Sequence, residues 1–333
     1  MIVFSKIRSA TLALFCGAGA ATTLFAGESA PDDAFVPGGG VISHSDSSPE
    51  KFFTPARAAV RIRRNLITPF YASYAQSLPA SISTGGKLAA SVYGTGASWR
   101  YVAPDKTRVA LTSVDYRRTD FRFSGGNGYA PFAHMDSIRA TTYQEFINPE
   151  NGRALVGFLS GSAAADDRAD LADGAGCFVG LAGKQYFSEE TSVMLGVSAS
   201  YNCARERWYF YPIFSIDWSI AKNLNLRTLN GLTLTWDVGG ENVWLVDFSV
   251  GYETQAFAVA TGTDDGASGA FYRKRVPVGV AATWNISENF FVGAGITLDA
   301  WSEFRRYHSG HKTSEKFSTD PTLEFSLQAG IRF

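Results

Sequence analysis

The chain is poor in charge. Asp, Glu, Lys and Arg make up 18% of its 333 residues, against roughly 25% in an ordinary soluble domain. It also lacks a basic excess. Thirty Lys and Arg stand against 31 Asp and Glu, a formal net charge of -1, so the electrostatic footprint of a nucleic-acid binder is missing. No apolar run after residue 26 approaches the roughly 20 residues of a membrane-crossing helix, which excludes a helical membrane bundle. Cysteine and histidine are scarce, at 3 and 4 residues, and no zinc quartet, Rossmann fingerprint or Gly-rich phosphate loop can be assembled. What the chain has instead is 14% aromatic residues, 45% hydrophobic residues and 33 Gly. That composition excludes disorder. A mean hydropathy of -0.04 combined with so little charge predicts a surface that is not simply hydrated.

The N-terminus reads as an address. Lys6 and Arg8 supply a positive start, Ala10 to Ala26 is apolar and rich in small residues, and Leu24-Phe25-Ala26 before Gly27 offers a cleavage site. This is the pattern of a secretory signal peptide over residues 1–26. Cys16 follows Phe15, a poor fit to a lipidation site, and is removed with the leader. Loss of Lys6 and Arg8 takes the net charge from -1 to -3. Two cysteines, Cys177 and Cys203, remain in a chain expected to leave the reducing cytosol.

The end of the chain alternates strictly. Leu323, Phe325, Leu327, Ala329, Ile331 and Phe333 share one face, while Thr322, Glu324, Ser326, Gln328, Gly330 and Arg332 share the other. Period-2 alternation is a strand with one apolar and one polar face. Lipid outside and water inside require that pattern up to the last residue. In this the sequence resembles bacterial outer-membrane β-barrel proteins. In that class the final strand ending in Phe, here Phe325, Leu327, Ala329, Ile331 and Phe333, is the signal read by the barrel-assembly machinery. The resemblance implies an outer-membrane location, contact with lipid and lipopolysaccharide, and periplasmic termini. The stretch from Tyr211 to Phe333 is similar to uncharacterised outer-membrane barrel families, through Tyr211-Pro212-Ile213-Phe214, Ser219-Ile220-Ala221-Lys222-Asn223-Leu224 and Gly330-Ile331-Arg332-Phe333. No function comes with that likeness.

Alternation recurs at 193–201, 232–237, 272–284 and 290–300. The fold expected is all-β, a transmembrane antiparallel up-and-down barrel over residues 66–333. Short polar connections at 104–106, 148–152, 188–190, 221–223, 239–242 and 285–288 have hairpin chemistry and mark the periplasmic side. Six such turns join twelve strands, and a first and a last strand make fourteen. If the segments around Leu224 and Leu232 are one bent strand, the count is twelve. Asn230-Gly231 reads as a tight outer hairpin. The seven Trp lie mostly near strand ends, where a membrane-interface girdle belongs. Residues 27–65 do not alternate and are read as a periplasmic tail or a plug for the barrel mouth.

By parity the lumen receives Asp115, Arg117, Lys184, Asp217, Asp237, Asp247, Glu253, Arg273, Arg275, Asp299, Glu324 and Arg332. Facing charges of both signs set a field across a channel, or they pair and fill a closed lumen. The expected function is a porin-like channel for passive diffusion of small polar solutes. The alternative is a closed structural barrel, or one that binds through its surface loops. Cys177 and Cys203 sum to the register expected around the 188–190 turn, and a disulfide is expected between them. His308 and His311 fall in an outer loop without completing ligands, as do the acidic groups at Asp166-Asp167 and Asp264-Asp265. No His has a hydroxyl nucleophile at matching strand positions. An enzyme is not expected, nor is any cofactor or metal. Oligomeric state is not legible.

Overall fold

The alternating segments become strands because each buries one face in the lumen and turns the other outward. In the computed structural model residues 66–67, 70–103, 107–125, 131–148, 151–188, 190–202, 207–229, 231–239, 243–260, 268–287, 289–307 and 313–331 are described. Residues 1–26, expected from sequence to be a signal peptide, and residues 27–65, expected to be a tail or plug, lie outside them. One continuous sheet carries β1 (Leu66–Ile67), β2 (Phe70–Ser77), β3 (Ala80–Ser81), β4 (Lys87–Val102), β5 (Arg108–Ser124), β6 (His134–Asn148), β7 (Arg153–Ala165), β8 (Ala175–Tyr186) and β9 (Thr191–Asn202). It continues through β10 (Arg207–Ala221), β11 (Leu224–Arg227), β12 (Leu232–Val238), β13 (Trp244–Val250), β14 (Glu253–Ala260), β15 (Ser268–Ser287), β16 (Phe290–Tyr307), β17 (Thr313–Thr319) and β18 (Thr322–Ile331).

Strands β1 to β3 all pair with β4 and act as one wall strand. Likewise β13 and β14 both pair with β15, and β17 and β18 both pair with β16. The barrel therefore has fourteen wall strands. It closes where β18 meets β2, with Leu327 opposite Tyr74 and Ile331 opposite Phe70. Because β11 and β12 form a true antiparallel hairpin, the count is fourteen rather than twelve. Gly231 closes its tip at φ +92°, and a Cβ there would collide with the Val250 carbonyl. Only Gly tolerates that conformation at no cost.

The outward face is apolar. Leu181, Leu195, Val197, Ile296, Phe325 and Leu327 are exposed, while their neighbours in sequence turn in. Trp244 and Trp284 stack at 5.3 Å on that face, near the end that carries the short turns. An apolar wall flanked by amphipathic rings suits lipid and its interface.

Two irregularities shape the other end. First, the wall is uneven. β11 has 4 residues and β12 has 7, below the roughly 9–11 a strand needs to cross the hydrocarbon core. Second, five wall strands break along one transverse line. The breaks are at 251–252 between β13 and β14, at the bulges of β15 and β16 by Pro277 and Ala300, at Asp320-Pro321, and at Leu78-Pro79. The Gly251 amide donates to the Pro277 carbonyl, and the Leu78 amide donates to Leu323, which ties the breaks across the sheet. Proline cannot donate to a ladder, and bulges bend strands. Above this crease β14, the upper parts of β15 and β16, and β17 form a panel that folds inward. Its free edge reaches across the lumen: Ala258 of β14 bridges Ala165 of β7, and the Asp166 amide donates to the Ala258 carbonyl at 2.9 Å.

Candidate functional site

The lumen narrows at mid-height on a lattice of charges. Arg273 and Arg275 alternate on β15 so that both side chains point inward. The Val276/Pro277 bulge sets Asp299 of β16 below them. Arg273 Nη2 lies 2.9 Å from Asp299 Oδ2. Arg275 reaches three carboxylates, Glu253 at 2.6 Å, Asp299 at 3.2 Å and Glu324 at 3.4 Å. Arg117 of β5 and Arg139 of β6 face this group from the other wall. Between them is a cavity of about 30 Å³ lined by Arg117, Arg139, Glu253, Arg273, Arg275 and Glu324, room for about two water molecules. Asp115 accepts a hydrogen bond from Tyr71, whose ring lies over Gly96. A Cβ at Gly96 would stand 2.6 Å from Asp115 Oδ1 and 2.8 Å from the Tyr71 hydroxyl, so the close approach of that pair depends on the glycine.

Nearer the short-turn end, Glu145 of β6 has no exposed surface. The Tyr143 hydroxyl donates to its Oε2 at 2.6 Å, the Tyr186 hydroxyl donates to Oε1, and Lys184 Nζ lies 3.3 Å from Oε1. The remaining lumen on that flank is apolar, with Val156, Phe158, Phe178, Met194 and Ile213 packed together and Tyr143 and Leu229 against them.

The end opposite the short turns is filled by rings. Phe132, on the connection between β5 and β6, lies 4.7 Å from Phe121, 5.0 Å from Phe257 and 4.6 Å from Phe271, each edge to face. Phe304 and Phe317 stack beside them at 4.8 Å. Three of the panel's four Phe come from β14, β15 and β16 and the fourth from β17, so the inward fold of the panel brings this cluster together. An open lumen leaves its lining exposed. Here Glu145, Val156, Phe132 and Thr283 are at 0% exposure, and the described lumen is packed.

The sequence-derived lumen residues fall inside as follows. Asp115, Arg117, Glu253, Arg273, Arg275, Asp299 and Glu324 belong to the mid-lumen group. Lys184 belongs to the Glu145 cluster. Asp217 accepts from Asn225 Nδ2 at 2.9 Å and lies 3.8 Å from Arg227. Asp247 accepts from Thr235 at 2.5 Å, and Asp237 is buried nearby. Arg332 and Phe333 lie outside the described residues, whereas Phe325, Leu327 and Ile331 are exposed outward, with Ala329 on the same face. Cys203 lies outside the described residues. Cys177 opposes Tyr201, which puts direct opposition two positions before Cys203. His44, His308, His311 and Asp264-Asp265 are also outside. Asp166 caps its own loop through the amides of Arg168 and Ala169. Glu145, Arg139 and Tyr71 were missed by sequence reading. The odd-numbered parity of β6, set by Met135 and Ile147, was the signal that places Arg139, Tyr143 and Glu145 inside.

A closed antiparallel wall with an apolar exterior and a polar, packed interior defines a transmembrane β-barrel, and the chain resembles bacterial outer-membrane barrel proteins. No family model and no curated protein matches it. Among solved structures it is similar to an outer-membrane channel from Pseudomonas putida F1, at 11% identity and TM-score 0.38, over 80% of this chain and 95% of that one. It is also similar to a mutant of the TodX monoaromatic hydrocarbon channel, at 4% identity and TM-score 0.44, over 80% and 90%. A third is the KdgM porin in complex with disordered oligogalacturonate, at 6% identity and TM-score 0.29, over 79% and 99%.

Proposed function

We propose that the protein is an outer-membrane channel for small polar solutes, closed in this conformation and without a catalytic step. The observation that carries the reading is the mid-lumen lattice, in which Arg275 alone bridges Glu253, Asp299 and Glu324 from three other strands. A purely structural barrel gains little from such a group, because hydrophobic residues of similar volume stabilise an interior as well as buried ion pairs do. Charges of both signs around a water-sized cavity are instead the lining that replaces a solute's hydration shell in a selective pore. The Phe132 cluster closes the outer mouth above it. In this reading the leader 1–26 is cleaved, lipid and lipopolysaccharide surround the wall, and the terminal Phe325 to Phe333 pattern is read by the assembly machinery.

Single-channel recording of refolded protein in a planar bilayer is the test. The expected record is a closed baseline with brief steps, and Phe132→Ala lengthens the open periods. Silence from both proteins, each with a folded band on a semi-native gel, rejects conduction and leaves the closed structural barrel.

A further inference from the structure

Arg117 differs from its neighbours in the mid-lumen group. Arg273 is tied to Asp299, and Arg275 to Glu253, Asp299 and Glu324. The Arg117 guanidinium, on the other side of the cavity, makes no hydrogen bond or ion pair with any described residue. The strand pairing explains why. Arg117 of β5 lies opposite Gly94 of β4 and Ser137 of β6. Gly94 has no side chain, and the Ser137 hydroxyl donates to the Arg117 carbonyl at 3.3 Å. On its own strand the nearest inward carboxylate is Asp115, two residues earlier. That group accepts from Tyr71 and, at 3.4 Å, from Ser113, and it stands opposite Arg139. Thr119, two residues later, lines the same cavity and carries no charge.

The packing of the lumen gains nothing from such a group. A cation taken out of bulk water without a partner costs free energy, and Arg275 already engages the three carboxylates across the cavity. The partner that a planar guanidinium fork fits best is a carboxylate, held by two parallel hydrogen bonds. The cavity beside Arg117 matches that head in size. Its volume of about 30 Å³ holds about two water-sized atoms, the number of oxygens in a carboxylate and half the number in a phosphate.

We propose that Arg117 is the solute-binding residue of the lumen and that the solute is a small organic carboxylate, its head seated on the Arg117 guanidinium in the mid-lumen cavity. Passage of that solute rests on the proposed channel, whereas its binding does not. Arg117 determines specificity in two ways. Its charge selects anions over cations. Its fork selects a carboxylate over a spherical anion such as chloride.

Binding is read by saturation-transfer NMR on the full chain refolded in nonionic detergent, with butyrate as probe and butylammonium as its cationic counterpart. Butyrate is expected to take up several-fold more saturation than butylammonium, and acetate to displace it. In Arg117→Gln the butyrate signal falls to the level of butylammonium. Equal butyrate signals from the unmodified and Arg117→Gln proteins overturn the site, whatever a bilayer record shows. Displacement by inorganic phosphate as effective as by acetate overturns the assignment of the head. Where Arg117→Gln gives no folded band on a semi-native gel, the unmodified chain decides, and equal saturation of butyrate and butylammonium overturns the proposal. Passage is read by reversal potentials in gradients of KCl and of potassium butyrate. Arg117→Lys, which keeps the charge without the fork, is expected to stay anion-selective in KCl and to lose the preference for butyrate over chloride. An unchanged preference in Arg117→Lys overturns the role of the fork. A silent bilayer with butyrate binding intact rejects conduction and leaves the carboxylate site standing.

Discussion

Glu145 holds the short-turn third of the lumen through three donors, Tyr143 on its own strand and Lys184 and Tyr186 on β8, two strands away. Lys184 is itself only 9% exposed. Removing one partner of a buried pair leaves an uncompensated charge, which costs about 3–5 kcal/mol. Glu145→Ala is therefore expected to lower unfolding stability by about 3 kcal/mol, read by tryptophan fluorescence in urea. Glu145→Gln keeps an oxygen acceptor, so it should lose less. A larger loss in Gln than in Ala would show that the hydrogen bonds are not what the site depends on. At the hairpin tip, Gly231→Ala must carry φ +92° and collide with the Val250 carbonyl. It is expected to cost more than the roughly 1 kcal/mol of an ordinary Gly position and to reduce the refolded yield on a semi-native gel.

At the scale of elements, the proposed closure of the mouth rests on the panel. Phe132 is fully buried between Phe121, Phe257 and Phe271, and truncating such a ring costs about 3–5 kcal/mol. Phe132→Ala should thus destabilise the panel and raise open probability together. Unchanged conductance in a measurably destabilised protein would place the barrier elsewhere. How far these elements were legible follows the range of the interactions that make them. The strand faces were legible, because a two-residue period is a local property, and so were the short turns, because their chemistry sits in three to five residues. The crease was not. Ala300 extends the alternation of β16 without a visible fault, yet the bulge beside it reverses the facing of Ser302 to Tyr307. The contacts that hold the panel, such as Phe132 with Phe271 and Ala165 with Ala258, join residues far apart in sequence and leave no periodic trace. Of the lumen group, the charges on β15, β16 and β18 could be read from parity. Glu145 and Arg139 stand on β6, where Thr, Tyr and Gln on both faces blur the pattern.

For the whole molecule, the proposed channel makes the balance of charge at mid-lumen the determinant of selectivity. Arg273 and Arg275 face Asp299, Glu253 and Glu324. Replacing Arg275 with Gln leaves Arg273 alone on this wall against three carboxylates, with Arg117 and Arg139 across the cavity, and so removes one positive charge from the lining. The reversal potential of Arg275→Gln in a salt gradient is expected to move toward cation selectivity, and unchanged selectivity would separate the lattice from the conduction path. The fold itself predicts that unboiled protein runs faster than boiled protein on a semi-native gel, and the absence of any such band would count against a closed barrel.

The low β11–β12 hairpin has one more consequence, and it concerns the membrane rather than the protein. A wall shorter than the hydrocarbon is thick forces the lipid to adapt, by thinning or by tilting the inclusion, at a fraction of a kcal/mol per ångström of mismatch. Around this barrel the mismatch falls on one flank, since β4 and β5, across the barrel from the hairpin, run to 16 and 17 residues. The molecule thus carries a thin side and a tall side. Lipid beside the hairpin is expected to pack more loosely than beside β4 and β5, and the barrel axis to lean relative to the membrane normal.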